Sequence, residues 1–342
     1  MRDALYLDNI ETSGTDQKSS KALIHNGKQV FSEKNLYTPD LEKIIGDLED
    51  TKKLSVKTAV ALIDFGNDTD WKDRGRKMYD CGDVVTFSDD KIVAANFCRQ
   101  RLCPMCQRRK SLRTYSDFCK VLAQLENYSC IHLVLTVPNV NGCDLSETLD
   151  LMNACASRFF KVLEVAKAFK GIARVTEVSF NEKRNDFHPH FHCLVAVKPS
   201  YFKSRDYLKY DALRFLWSAV WYHRRDNLKR LSDEKIKLSN LSDTDFLQIF
   251  ITKADEGALP EIAKYAVKPL VFEADQRKRA EVLQALFEGL HGRRLIQTYG
   301  VIKDAARKAK VTFDDVVEND TLANNDTITY NYNHRLSHYE RG

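Results

Sequence analysis

A run of alternating histidines restricts this chain more than any other feature. His188, His190 and His192 occupy every second position of an apolar, β-rich stretch, Phe187–Val197. Successive side chains of a strand point to opposite faces, so the three imidazoles project to one side of a sheet. A packed core has little use for three adjacent imidazoles, whereas neutral imidazole is the commonest transition-metal ligand. A second β-rich run, Ile172–Phe180, precedes it across the polar loop Asn181–Asp186, so the two form a hairpin. If that hairpin pairs Glu177 with His190, the carboxylate joins the histidine face; a slip of two residues preserves this and a slip of one destroys it. Otherwise Glu177 is an edge charge or a partner for Arg174.

The flanking periodicities place the hairpin in a larger fold. Cys130–Val137 reads as a strand closed by Pro138-Asn139, and Ser146–Lys170 as one helix. Tyr207–Leu231 is helical with Trp217 and Trp221 as core aromatics; Phe246–Thr252 is a strand. Pro260–Lys268 is a short helix stopped by Pro269, and Arg277–His291 is a longer one. Before the hairpin, Val84–Ser88 and Lys91–Asn96 are extended and Arg113–Glu126 is helical. A short helix is expected near Asp40–Leu54 in an otherwise featureless leader, and residues beyond about Val311 read as a loose acidic tail. The fold class is α+β, with a central antiparallel sheet flanked by helices.

Four of the nine cysteines are clustered in sequence: Cys98, Cys103 and Cys106, with Cys81 at a turn upstream. The Cys103/Cys106 spacing is that of a zinc knuckle, and Cys81 is the candidate that closes a four-thiolate, structural Zn²⁺ site in a small zinc-ribbon-like unit. Around it the chain is basic. Residues 1–70 hold thirteen acids and nine bases, so the formal charge of +5 arises entirely in 71–342. Its densest part is Arg99, Arg101, Arg108, Arg109, Lys110 and Arg113, with no acid among them. A rigid zinc unit would hold these cations toward phosphates, so they are the candidate DNA-binding residues. The odd cysteine count argues against a disulfide framework. No apolar run is long enough to span a bilayer and the N-terminus carries no signal-type stretch, so a cytoplasmic protein is expected.

In Pro260–Pro269, Glu261, Tyr265 and Lys268 fall at helical spacings of four and three and share one face. A phenol is a poor nucleophile until a cation lowers its pKa, which Lys268 is placed to do. Glu261 can accept a proton from the tyrosine or from a water. Beside a histidine metal site, this is a candidate apparatus for strand transfer at a phosphodiester, with Tyr265 as nucleophile.

Taken in order, these motifs resemble the rolling-circle plasmid replication initiators of the HUH endonuclease superfamily, in the branch with a cysteine cluster before the catalytic domain. The resemblance rests on Cys81-Gly82, on Asn96-Phe97-Cys98 through Arg108-Arg109, and on Leu135-Thr136-Val137-Pro138-Asn139. It rests also on Glu177-Val178, on His188-Pro189-His190-Phe191-His192 and on Glu261-x3-Tyr265-x2-Lys268. It implies that His190 and His192 bind a catalytic Mg²⁺ or Mn²⁺, with His188 or Glu177 completing the shell. It also implies that Tyr265 forms a 5′-phosphotyrosine at a double-strand origin, that Glu261 activates water at termination and that Lys268 lies near the scissile phosphate. Single-stranded and origin DNA and a host helicase are the implied partners, with no membrane. The expected organisation is a variable leader (1–75), a cysteine unit (76–115), an HUH nicking domain (116–310) and the tail (311–342). An HUH relaxase or transposase, and a non-enzymatic zinc-dependent DNA-binding regulator, are the rival readings.

Overall fold

The computed structural model describes residues 24–25, 28–29, 41–88, 91–222, 246–254, 262, 275–313 and 327–342. A two-residue pair, β1 (Ile24–His25) and β2 (Lys28–Gln29), precedes the main body. Two antiparallel sheets organise the rest, as the α+β expectation requires.

The larger sheet has five strands: β5 (Ser129–Thr136), β6 (Phe169–Asn181), β7 (Asp186–Val197), β8 (Ile249–Lys253) and β9 (Ile296–Tyr299), in the order β8-β5-β7-β6-β9. The β6–β7 hairpin pairs Glu177 with His190 and Val175 with His192, the register that places the carboxylate on the histidine face. Both faces of the sheet are covered, each by residues of one parity. Phe191, Cys193, Val195 and Val197 join Leu133 and Leu135 against α4 (Leu145–Phe159), α6 (Tyr210–Tyr222) and α7 (Gln276–Leu290). On the other face, Leu194, Ala196, Ala173 and Val175 pack on α3 (Pro104–Leu122) and α8 (Gly300–Lys308). His190 and His192 belong to this second face, at its open end.

The stretch read as one helix, 146–170, is two: α4 ends at a cap on Phe160 and a short α5 (Leu163–Ala168) follows. From Phe169 onward the backbone is taken by β7, and Gly171 also bridges Gly300. Gly300 has φ +56 and a Cβ there would lie 2.2 Å from the Lys170 carbonyl, so only glycine allows this approach.

The smaller sheet, ordered β11-β10-β3-β4, joins β3 (Val84–Ser88) and β4 (Lys91–Ala95) to β10 (Ile328–Asn333) and β11 (His338–Arg341). The sequence reading of the last residues as a loose tail does not anticipate this hairpin. Tyr330 pairs with Val85 and stacks edge-on against Phe87, and Tyr339 is buried with its hydroxyl donating to the Gly82 carbonyl at 2.5 Å. The period-2 alternation of Ile328, Tyr330 and Tyr332 is present in the sequence but is preceded by an Asn-rich acidic stretch.

The helix expected near 40–54 is α1 (Leu41–Phe65), 25 residues long and part of the core. Its inward stripe begins as Leu41, Ile44, Ile45 and Leu48, turns polar at Thr51, Lys52 and Ser55, and resumes with Ala59 and Leu62. The polar break ends the apolar period in sequence, yet in the fold it faces the polar backbone of the cysteine unit. Next, α2 (Thr69–Tyr79) starts at Asp68, whose carboxylate accepts from the Trp71 backbone N–H at 3.1 Å, and delivers Cys81.

Candidate metal centres and their surroundings

Three elements bring the cysteines together. Cys81 follows α2, Cys98 follows β4, and Cys103 and Cys106 open α3. Their ligand atoms all lie within 4.8 Å of one another, with Cys81 Sγ 3.6 Å and Cys98 Sγ 3.7 Å from Cys106 Sγ. A tetrahedral Zn²⁺ with Zn–S near 2.3 Å requires sulfur separations of about 3.8 Å, so the set fits this ion. For Cys103, burial pushes the thiol up, but S–H donation from the other three outweighs it and holds its pKa well below the ordinary value. The other three are raised, first through their hydrogen bonds with Cys103.

Helix α1 supplies the support for this unit. The fully buried Lys52 ammonium donates to the Cys81 carbonyl at 3.0 Å and to the Tyr79 carbonyl, and pairs with Asp83 at 2.6 Å. Ser55 Oγ donates to the Met78 carbonyl at 3.2 Å and lies 3.6 Å from Cys103 Sγ. Neither residue stood out in the sequence, because polar residues on a helix ordinarily mark its solvated face.

The basic segment is largely engaged within the protein. Arg101 donates to the carbonyls of Leu290 and Arg293 at the end of α7, and Arg108 pairs with Asp47 at 3.4 Å. Arg109 covers the Phe97 ring at 4.7 Å, Lys110 is buried, and Arg113 faces Asp117 at 3.9 Å. Arg99 and Arg113 are exposed, Arg99 with φ +59.

The second centre is built on the β6–β7 hairpin. His190 Nδ1 is 3.1 Å from the His188 carbonyl, an acceptor only, so Nδ1 carries the proton. That leaves a bare lone pair on His190 Nε2. His192 Nδ1 is likewise engaged, 3.1 Å from Nε2 of the buried His132 on β5. Both free Nε2 atoms face the Glu177 carboxylate, with Oε2 3.5 Å from His190 and 2.8 Å from His192. Glu177 is 1% exposed and neither carboxylate oxygen has a hydrogen-bond partner. Two lone pairs and a buried, unsatisfied carboxylate directed at one point repel each other unless a cation stands between them. Burial raises the Glu177 pKa, and positive charge at this point, from a bound cation or from protons on the two Nε2 atoms, holds the carboxyl below the usual range.

Glu177, His190 and His192 thus form one potential ligand set, and His188 lies beside it. His188 Nδ1 donates to the Asn139 side-chain oxygen at 2.7 Å, and the Asn139 amide nitrogen in turn donates to Asp186 at 2.9 Å. Burial, followed by the neighbouring His190 and Arg184, keeps His188 below the ordinary imidazole value. Arg174 is not the partner of Glu177. It sits on the opposite face, donating to Asn153 and Gln297 at 2.8 Å each, over the Phe191 ring. The residue that sequence reasoning passed over is His132. Its signal was its parity: in the strand 130–137 it alternates with Val134 and Thr136, which are paired with His192 and His190.

Glu261, Tyr265 and Lys268 lie outside the described residues. Their neighbour Ile262 is described, wholly buried, and packs with Val175, Leu194 and Ala196 on the histidine face of the sheet.

Comparison with known proteins adds to this geometry. The Rep_1 family, described as replication protein, matches residues 89–340. A "Protein rep" of Streptococcus pneumoniae serotype 2 is 27% identical over 244 residues, covering 68% of this chain and 71% of that protein. A "Protein rep" of Lentilactobacillus hilgardii is 28% identical over 283 residues, covering 76% of this chain and 86% of its own length. A "Replication protein" of Staphylococcus aureus is 31% identical over 210 residues, covering 60% and 84% respectively. No solved structure matches the chain.

Proposed function

Because this chain belongs to the Rep_1 family of replication proteins, we propose that it initiates rolling-circle replication of a plasmid in the bacterial cytoplasm by nicking one strand at the double-strand origin. The observation that carries this reading is the convergence of two lone-pair imidazole nitrogens and an unsatisfied, buried carboxylate on one point. Imidazole and carboxylate donors together suit Mn²⁺ at least as well as Mg²⁺. An ion held by Glu177, His190 and His192 would supply positive charge to the non-bridging oxygens of the scissile phosphate.

The chain's own residues do the remaining work. Tyr265 follows Ile262, a residue anchored on the histidine face, by three positions in sequence. In the proposed step the Tyr265 oxygen bonds to phosphorus and the bond from phosphorus to the 3′ oxygen breaks. The phenolic proton is lost, the departing oxygen gains one, and the products are a 5′-phosphotyrosine and a 3′-hydroxyl primer. One phosphodiester replaces another, so the bond energy is retained for rejoining. Lys268 favours the phenolate by its charge. Glu261 takes a proton from the water that releases the protein at termination. His188, fixed by Asn139, borders the ligand set where the DNA backbone would pass. The zinc unit, through Arg99 and Arg113, is proposed to contact origin phosphates, and a host helicase to extend the opened strand.

Incubation with a single-stranded origin oligonucleotide and Mn²⁺, followed by denaturing electrophoresis, tests the reading. Wild type is expected to give a slower-migrating covalent adduct. Tyr265→Phe and Glu177→Gln should give none, and Glu261→Ala should form the adduct without hydrolysing it. No adduct from the metal-loaded wild type would return the chain to a DNA-binding regulator.

A further inference from the structure

We infer that the turn between β7 and α6 is a stacking platform for single-stranded DNA, at a place separate from the histidine centre. Phe202 and Tyr207 are 52% and 44% exposed, with ring centroids 6.1 Å apart. Both rest on Tyr201, at 5.2 and 5.4 Å, which is itself buried against Phe169 of β6. The turn is fixed by its own hydrogen bonds. The Tyr201 hydroxyl accepts from the Leu208 N–H at 3.2 Å, and Ser204 Oγ donates to the Tyr201 carbonyl at 2.9 Å while accepting from the Asp206 N–H. A lone exposed ring is ordinary on a protein surface. Two neighbouring rings, held outward by a buried third and a closed set of hydrogen bonds, form a preorganised, half-exposed aromatic surface.

Charge selects the occupant. Lys203 and Arg205, between the two rings in sequence, and Lys209 just beyond them are exposed, against one acid of the turn, Asp206, and none of the three makes an ion pair among the described residues. The cysteine unit differs, since most of its cations are committed to internal contacts. An acidic peptide would use these cations and leave the rings idle, and duplex DNA hides its base faces inside its own stack. An unpaired strand uses both features, its phosphates meeting the cations and its bases lying on the rings. Val197 is five residues beyond His192 along β7, about 17 Å away, so the platform would hold strand flanking the cleavage point rather than the scissile bond. The biological sense of the site rests on the nicking reading; the binding does not.

Fluorescence anisotropy of the full-length protein with labelled oligo(dT) of about sixteen nucleotides, and with the matching dT·dA duplex, tests the inference. Phe202→Ala/Tyr207→Ala is expected to weaken oligo(dT) binding about tenfold while duplex binding stays within about twofold. Lys203→Ala/Arg205→Ala/Lys209→Ala should lower the log–log salt slope for oligo(dT) by about 2. Both variants change exposed side chains, so thermal melting should match wild type and both should still form the covalent adduct on a minimal origin oligonucleotide. The inference fails if the aromatic variant binds oligo(dT) as wild type does, or loses single strand and duplex equally. Failure of wild type to form any adduct would sink the nicking reading and leave the oligo(dT) result standing.

Discussion

His132 decides which nitrogen of His192 is free. With His132 Nε2 as acceptor, the His192 proton stays on Nδ1 and the lone pair on Nε2 faces Glu177. Partners of this kind change metal affinity by about 10–100-fold. His132→Phe should therefore weaken Mn²⁺ binding by at least about tenfold in isothermal titration calorimetry, with the thermal unfolding profile largely kept; an unchanged affinity would show that His192 needs no such orientation. Glu177→Gln should lose more, since it removes the only charged donor of the set. Much of this centre was legible in the sequence. Alternating histidines fix a face, but the hairpin register stayed open in the sequence, and it is the observed pairing of Glu177 with His190 that brings the carboxylate to that face. The orientation by His132 was not legible, because it depends on which strand lies beside β7, and sequence order does not give neighbours in a sheet. Asn139 was singled out as part of a motif, but its role in holding His188 required the fold.

At the scale of elements, α1 and the C-terminal hairpin close the cysteine unit from two sides. Lys52 from α1 and Tyr339 from β11 reach opposite ends of the same turn, at Cys81 and Gly82, and the Tyr339 N–H donates to Glu49 of α1. Removing one member of a buried ion pair leaves the other without compensation, although Asp83 is partly solvated. Lys52→Met is expected to cost about 2 kcal/mol in urea unfolding and to speed zinc loss to a chelator. Equal stability and equal zinc retention would mean that α1 only covers the unit. The hydrophobic period identified α1 only as far as about Leu54 and missed its continuation to Phe65, because the residues that serve the cysteine unit are those that break the period. For the hairpin the obstacle was distance: β10 pairs with β3 across more than two hundred residues, and no local signal reports such a partner.

Across the whole molecule, the nine thiols fall into classes that one titration separates. Burial pushes Cys130 and Cys193 up to about 12, well above the ordinary value near 8.5. A group whose folded pKa is raised lends stability that is complete below its unfolded pKa. That stability is lost as pH climbs from about 8.5 toward 12, so these two sites favour folding at neutral pH and weaken it in alkali. At about pH 8 they should resist a thiol reagent, and the exposed Cys143 should react at once. Chelation of the zinc should add four reactive thiols, those of Cys81, Cys98, Cys103 and Cys106, and elemental analysis should find one tightly held zinc per chain with a second, labile metal at the histidines. No new reactive thiols on chelation would contradict a zinc-filled cysteine site.

The central claim is that Tyr265 becomes covalently joined to the cleaved strand, and mass spectrometry of the adduct tests it most directly. The protein is reacted with an origin oligonucleotide and Mn²⁺, digested with nuclease and trypsin, and the nucleotide-bearing peptide is sequenced by fragmentation. The account predicts a 5′-nucleotide phosphoester on Tyr265, abolished when Glu177 is replaced by Gln. A phosphoester on any other tyrosine, or an adduct that forms equally well with Glu177→Gln, would contradict it.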